Sequence, residues 1–215
     1  MNAATEPANI RTGRPIKGFA MRVLICLLIV TAGVAGLPIQ KAHAYDEYNR
    51  VKKFDVYFNK YAKRFFGPGF DWRHFKAQAV AESRLKADAR SHVGAVGVMQ
   101  LMPATFKEIR KKNPIIKGSR AQPRWNIAAG IYYDRLIWKV WKAERSFLDR
   151  LKFTFGAYNA GKANILKAQS IAKSKGLNPN VWASIIKTLS LVTGSRSRET
   201  IGYVHKIGEI KEVLR

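Results

Sequence analysis

Asp71-Trp72-Arg73-His74-Phe75-Lys76-Ala77-Gln78-Ala79-Val80-Ala81-Glu82-Ser83 is the stretch on which the reading of this 215-residue chain turns. Phe66-Gly67-Pro68-Gly69 precedes it as a breaker, and Asp71 offers an N-cap, so a helix is expected to run through about Leu85. Trp72, Phe75, Ala79 and Glu82 then fall on one stripe of that helix. A carboxyl at the end of an apolar stripe is either paired with a cation or kept for its chemistry. The helix C-terminus also disfavours a negative charge there. Both effects raise the pKa of Glu82, which suits a general acid, and the residues alone leave a buried structural pair equally open.

Working outward, Val51, Phe54, Phe58, Tyr61 and Phe65 recur at helical spacing and predict a helix over about 45–66. Residues 87–102 are too rich in glycine and short apolar pieces for a helix and predict a small irregular or β-hairpin insert. Pro103 is placed to open a helix to about Lys111. Asn126 can cap a long one to about Lys142, and Ser146 with Asp149 forms a capping-box pattern before the next. Gly161 and Gly176-Leu177-Asn178-Pro179 punctuate two further helices, and a last one starts near Arg198. With no internal repeat and no alternation of strands and helices, the fold class is mainly α, in a single domain over 45–215.

Hydrophobic residues at 47% and aromatics at 11% exclude a disordered chain. The formal net charge of +25 points to an anionic polymer or surface as partner without choosing among them. Residues 1–44 carry the marks of a cleaved signal peptide. Arg11, Arg14, Lys17 and Arg22 precede an apolar run from Val23 to about Leu37, and Ala42-His43-Ala44 is a small-x-small site. Met21-Arg22 could itself open a compact signal. A membrane anchor is the alternative, but the run is shorter than the roughly 20 residues a spanning helix needs, and Gly33 and Gly36 interrupt it. Residues 45–215 keep 34 Lys+Arg against 13 Asp+Glu, so the basicity belongs to the domain. The one cysteine, Cys26, lies in the signal, leaving no disulfide framework or thiolate site, and the four histidines show no ligand spacing.

Two more segments have room for chemistry. Within Ser91-His92-Val93-Gly94-Ala95-Val96-Gly97-Val98-Met99-Gln100-Leu101-Met102-Pro103, the amide of Gln100 must find partners in backbone or in a ligand such as a sugar amide. The bland reading is a loop tucked against the core. In Phe155-Gly156-Ala157-Tyr158-Asn159-Ala160-Gly161, the Tyr-Asn pair faces a cleft or merely ends a helix.

Taken in order, Glu82-Ser83, Gly94 through Thr105, Ala157-Tyr158-Asn159-Ala160-Gly161 and Glu199-Thr200 with Tyr203-Val204 resemble the soluble-lytic-transglycosylase family. The likeness spans roughly residues 70–210, and the segment from Asp71 to Glu82 is most similar to the catalytic domain of F-type membrane-bound members. The resemblance implies a lysozyme-like α-helical fold with Glu82 as the catalytic acid/base. It implies that Ser91, Gln100, Met102, Tyr158, Asn159 and Tyr203 bind substrate, with Glu199 more structural than catalytic. Ile201-Gly202 departs from the polar residues many relatives carry before the tyrosine.

The implied reaction cleaves the bond between N-acetylmuramic acid and N-acetylglucosamine in peptidoglycan. Glycosidases commonly use two carboxylates. Here no second acid accompanies Glu82 in a recognised motif, and the substrate's own N-acetyl group takes the second role. Glu82 protonates the leaving oxygen, then accepts the proton of the 6-hydroxyl as a 1,6-anhydro ring closes. The expectation includes no metal and no cofactor, glycan strands as partner, no nucleic acid, at most peripheral membrane contact, and an exported protein of the periplasm or envelope. The alternatives are a hydrolytic lysozyme-type muramidase, which needs a second positioned carboxylate, and a non-catalytic wall-binding module. A nucleic-acid binder fits the charge but not the signal, and its Lys/Arg are scattered.

Overall fold

Burying aromatic and aliphatic stripes of eight helices around a central one organises the described residues. The computed structural model describes residues 45–215, and the expected signal over 1–44, with Cys26, lies outside them. The helices are α1 (Asp55–Phe66), α2 (Arg73–Ser83), α3 (Pro103–Lys112), α4 (Pro123–Trp138), α5 (Phe147–Ala160), α6 (Lys162–Ser174), α7 (Trp182–Thr188), α8 (Ser190–Thr193) and α9 (Ser197–Val213). No helix among the described residues is long and apolar enough to cross a membrane. The mainly α expectation holds.

Helix α4 is the spine. Ile127, Ala128, Ala129 and Ile131 are fully buried, and α4 packs on both α1 and α5. Helix α2 packs on α9, which also lies along α5. The floor of α2 is aromatic: Phe75 lies 5.0 Å from Phe66 and 5.2 Å from Phe70, and Phe66 meets Trp138 edge-on at 5.7 Å. Such pairs add about 0.5–1.5 kcal/mol each beyond the area they bury. They fix the base of the helix that carries Glu82.

Three expectations are corrected. The helix over 45–66 is broken: a 3-10 turn at Glu47–Asn49 is followed by a non-helical link, and α1 begins only at Asp55. Tertiary bonds outbid local propensity there. The buried Lys76 ammonium takes the Val51 carbonyl at 2.9 Å and the Asp55 carboxylate at 2.7 Å. Asn49 donates to the Val213 carbonyl at 3.0 Å and accepts from the Arg215 amide at 2.9 Å. Next, 87–102 contains no hairpin, only isolated antiparallel bridges pairing Arg90 with Val96 and Val96 with Leu101. Positive φ at Gly94, Gly97 and Gln100 turns the chain every three residues, too often for a ladder to grow. Finally, Asn126 is no cap. Helix α4 opens at Pro123 after Gln122 and ends at Trp138, with Asn126 buried inside it.

Other signals read as expected. Pro103 is the first residue of α3. Ser146 caps α5 by accepting the Asp149 amide at 3.0 Å while its hydroxyl donates to Asp149 at 2.7 Å. Asp71 accepts the Arg73 amide at 3.0 Å, one residue ahead of the formal cap Trp72.

Candidate active site

Glu82 is the penultimate residue of α2, half-buried beyond the fully enclosed Phe75 and Ala79 of its stripe. Two consecutive left-handed residues, Arg84 (φ 55°) and Leu85 (φ 59°), stop the helix immediately after it. Without glycine this conformation costs about 1–2 kcal/mol per residue. Burial of Leu85, 3% exposed, helps hold the turn. The chain is thereby folded back beneath the loop that follows.

That loop is bolted to α2 and α4. Ser83 donates its hydroxyl to the Val98 carbonyl at 2.8 Å. Asn126 uses every bond its amide offers to this region: Oδ1 accepts from Met99 N at 2.7 Å, and Nδ2 donates to Val96 O at 2.8 Å and Arg120 O at 2.7 Å. The fit requires Gly97 (φ 83°), where a Cβ would meet Asn126 Nδ2 at 2.6 Å. The Gln100 amide is occupied in the same way, donating to the carbonyls of Gly97 at 2.9 Å and Ala89 at 3.2 Å. Of the two uses considered for it, backbone support is the one observed. Ser91 closes its own turn by accepting the Ala95 amide at 2.9 Å, and Met102 is 38% exposed beside the start of α3.

Across the cleft, α9 supplies Tyr203, whose hydroxyl donates to Glu82 Oε1 at 2.5 Å. The unusual Ile201-Gly202 therefore does not displace this tyrosine. Tyr158, in the last turn of α5, donates its hydroxyl proton to the Met99 carbonyl at 2.7 Å and meets Tyr133 edge-on at 5.3 Å. Asn159 accepts from Thr200 on α9 at 2.7 Å, beside a cleft of about 220 Å³ that it shares with Glu199. The structure thus brings Glu82, Tyr158 and Tyr203 together, ties Asn159 to α9, and leaves Ser91, Gln100 and Met102 on the loop.

The electrostatics of the cluster follow from its enclosure. Burial pushes the Glu82 carboxyl up to about 7; the Tyr203 hydrogen bond pulls it back, the Glu199 charge adds to the rise and Lys206 opposes it. Tyr158 and Tyr203 are raised well above 10.0, chiefly by burial and next by the Glu82 charge.

Residue-by-residue reading missed a second carboxyl. Asp134 is fully buried on α4, and Gln78, one turn before Glu82 on α2, donates to its Oδ1 at 3.3 Å. Burial raises Asp134 well above the usual carboxylate range, opposed by the Gln78 bond and assisted by the Glu82 charge. The signal was present: Ile127, Ile131 and Asp134 form a helical stripe that ends in an acid, as the stripe of Glu82 does.

No group of His, Cys, Asp and Glu that could hold a metal ion occurs among the described residues. A groove of about 810 Å³ lies along α3 and 114–120, and none of the expected site residues forms its walls. Lys107, Arg110, Lys111, Lys117 and Arg120 line it without any acid.

The family model of the transglycosylase SLT domain matches residues 57–181, more than half of the chain. The chain belongs to the transglycosylase SLT domain family. Among curated relatives, the membrane-bound lytic murein transglycosylase F of Shewanella pealeana is 29% identical over 177 residues, covering 77% of this chain and 35% of that protein. Its namesake from Pseudomonas putida is 31% identical over 140 residues, covering 65% and 27%. The F-type likeness of the Asp71–Glu82 segment agrees with these names. The SLT chain spans about a third of the length of such relatives.

Among solved structures, the 70 kDa soluble lytic transglycosylase of Escherichia coli matches with a TM-score of 0.58 at 23% identity, covering 75% of this chain and 24% of that one. An inactive glutamate-to-glutamine mutant of the Pseudomonas aeruginosa lytic transglycosylase Slt matches with a TM-score of 0.56 at 24% identity, covering 76% and 25%. These likenesses identify the helical fold of the SLT domain.

Proposed function

We propose that residues 45–215 are the catalytic domain of an exported lytic murein transglycosylase in which Glu82 is the single acid/base. The observation that carries this is the setting of Glu82: a carboxyl at the end of an apolar stripe, desolvated to a pKa of about 7 and held by Tyr203. A group with this pKa can give a proton and take one back near neutral pH. The names of the relatives support murein as substrate, and the inactive glutamate-to-glutamine mutant of the Pseudomonas aeruginosa enzyme supports a glutamate in that role.

In this reading Glu82 protonates the glycosidic oxygen between N-acetylmuramic acid and N-acetylglucosamine. The N-acetyl carbonyl of the muramic residue attacks its own anomeric carbon, giving an oxazolinium-like intermediate as the C–O bond breaks. Carboxylate Glu82 then takes the proton of the same sugar's 6-hydroxyl, whose oxygen closes the 1,6-anhydro ring and displaces the N-acetyl group. Tyr203 orients the carboxyl. Tyr158 points its O–H at the Met99 carbonyl, so its oxygen lone pairs remain to stabilise positive charge on the sugar. Ser91, Gln100, Met102 and Asn159 contact the glycan strand on either side of Glu82. Residues 1–44 direct export to the periplasm or envelope, and the basic surface concentrates the domain on the anionic wall.

The test is digestion of purified sacculi by residues 45–215, with Glu82→Gln as control and mass spectrometry of the released muropeptides. Anhydro ends that vanish in the control support the reading. Reducing ends would make the protein a hydrolase, and tight binding without products would make it a wall-binding module.

A further inference from the structure

We propose that Asp134 is a neutral carboxylic acid joined to Gln78 by two hydrogen bonds, so that of the two carboxyls brought together by α2 and α4 only Glu82 takes charge. The inference rests on the reading of Glu82 as the acid/base and deepens it, because a second carboxylate is what a hydrolytic mechanism would need.

Asp134 and Gln78 are both fully enclosed. One bond joins them, Nε2 to Oδ1 at 3.3 Å. The other atom of each planar group, Asp134 Oδ2 and Gln78 Oε1, is buried without a hydrogen-bond partner. Were Asp134 ionised, both would be acceptors lacking a donor, and a buried charge would rest on one long bond.

The surrounding groups offer no remedy. Glu82 from α2 is the charge that acts on Asp134, and it has the same sign. Tyr133 lies next to Asp134 on α4, while Tyr158 from α5 and Tyr203 from α9 are the other titratable groups that feel it. The Tyr158 proton goes to Met99 O and the Tyr203 proton to Glu82, so neither is given to Asp134. No Lys or Arg acts on it.

A proton on Oδ2 removes both defects. The new O–H donates to Gln78 Oε1 while Gln78 Nε2 still donates to Oδ1, closing an acid–amide ring of two bonds. Polar groups buried this way are worth keeping only when every member is satisfied. Gln78 stands one turn before Glu82, so this neutral ring underlies the reacting carboxyl and adds no charge to it. Full enclosure also denies Asp134 contact with a sugar or an attacking water.

The experiment uses residues 45–215 and an Asp134→Asn variant. Asparagine reproduces both bonds, its Nδ2 donating to Gln78 Oε1. Infrared difference spectra between the two proteins are expected to show a protonated-carboxyl C=O stretch from Asp134 that persists from pH 5 to about 8, a range that spans the Glu82 titration. The descending pH limb of sacculus digestion is expected to stay in place in Asp134→Asn.

A carboxyl stretch that titrates away within that range would overturn the proposal. So would a limb moved to lower pH, because removing a negative neighbour makes Glu82 easier to ionise. Should Asp134→Asn not fold, Gln78→Leu/Asp134→Leu replaces both planar groups by apolar ones and takes the same measurements. The infrared result needs no turnover: a persistent stretch in a protein that cuts no sacculi would sustain this proposal while the proposed function fails.

Discussion

The hydroxyl of Tyr203 and the carboxyl of Glu82 meet at 2.5 Å across 121 positions of sequence, joining the last helix to the second. The contact makes the acid a property of the closed domain, since neither helix alone would hold it.

The pH dependence follows from Glu82. In the proposed role its carboxyl must begin protonated, so kcat/KM for sacculus digestion is expected to fall tenfold per pH unit above about 7. A turbidity assay across pH 5–9 measures it. A limb near the ordinary carboxylate range would mean that Glu82 is solvated during turnover.

Replacing Tyr203 by Phe removes a hydrogen bond that lowers the Glu82 pKa. The descending limb is expected to move to higher pH. Loss of a bond to a charged group, worth about 1.5–3 kcal/mol, is expected to lower kcat by roughly tenfold or more. An unchanged limb would show that the tyrosine does not address the carboxyl in solution.

Glu82 also has a stability signature. Its pKa is raised from 4.5 to about 7 on folding, so the native state binds this proton more tightly than the unfolded chain. The associated stability is complete below about 4.5 and is lost as pH rises through about 7. Glu82→Gln escapes that loss. It is expected to exceed the parent at pH 8 by about 1–2 kcal/mol, with the gain shrinking towards pH 4, in denaturant titrations. A gain equal at both pH values would trace to packing instead.

Gly97→Ala places a Cβ 2.6 Å from Asn126 Nδ2 at a φ of 83°. Overpacking and left-handed strain together are expected to cost about 2–4 kcal/mol, read as a lowered Tm. Activity should fall with it at fixed temperature, because Asn126 also holds Met99 and Val96 in the loop facing the acid.

The basic groove along α3 offers a test apart from the chemistry. Lys107→Gln/Arg110→Gln/Lys111→Gln is expected to weaken sacculus binding several-fold at low ionic strength and hardly at all at 1 M salt, where charges screen within about 3 Å. Co-sedimentation measures it. Equal binding at both salts would place the electrostatic attraction elsewhere.

Much of this was legible in the sequence because it rests on local rules. The stripe from Phe75 to Glu82, the Ser146–Asp149 cap and the proline opening α3 each depend on neighbours within one turn. What was not legible depends on distant partners. The periodicity of 45–66 gave no hint that Lys76 would take Val51 and Asp55 and break the helix. Asn126 had the chemistry of a cap, but the loop around Met99 claimed its amide from inside α4. The apolar run of 87–102 suggested extended pairing, and its positive-φ residues turned it too often for strands. Asp134 was visible as an acid, and only packing could reveal Gln78 beside it and Glu82 nearby.

The bond pair at Asn49, to Val213 and Arg215, has a consequence for how this domain can be carried. Where the helical body is entered and where it is left meet at one side chain. A body closed in this way is a cassette: neighbouring segments attached at either side depart from a common seam and need not stretch around it. Splicing it between the halves of a host protein would ask the host for a gap only a few residues wide.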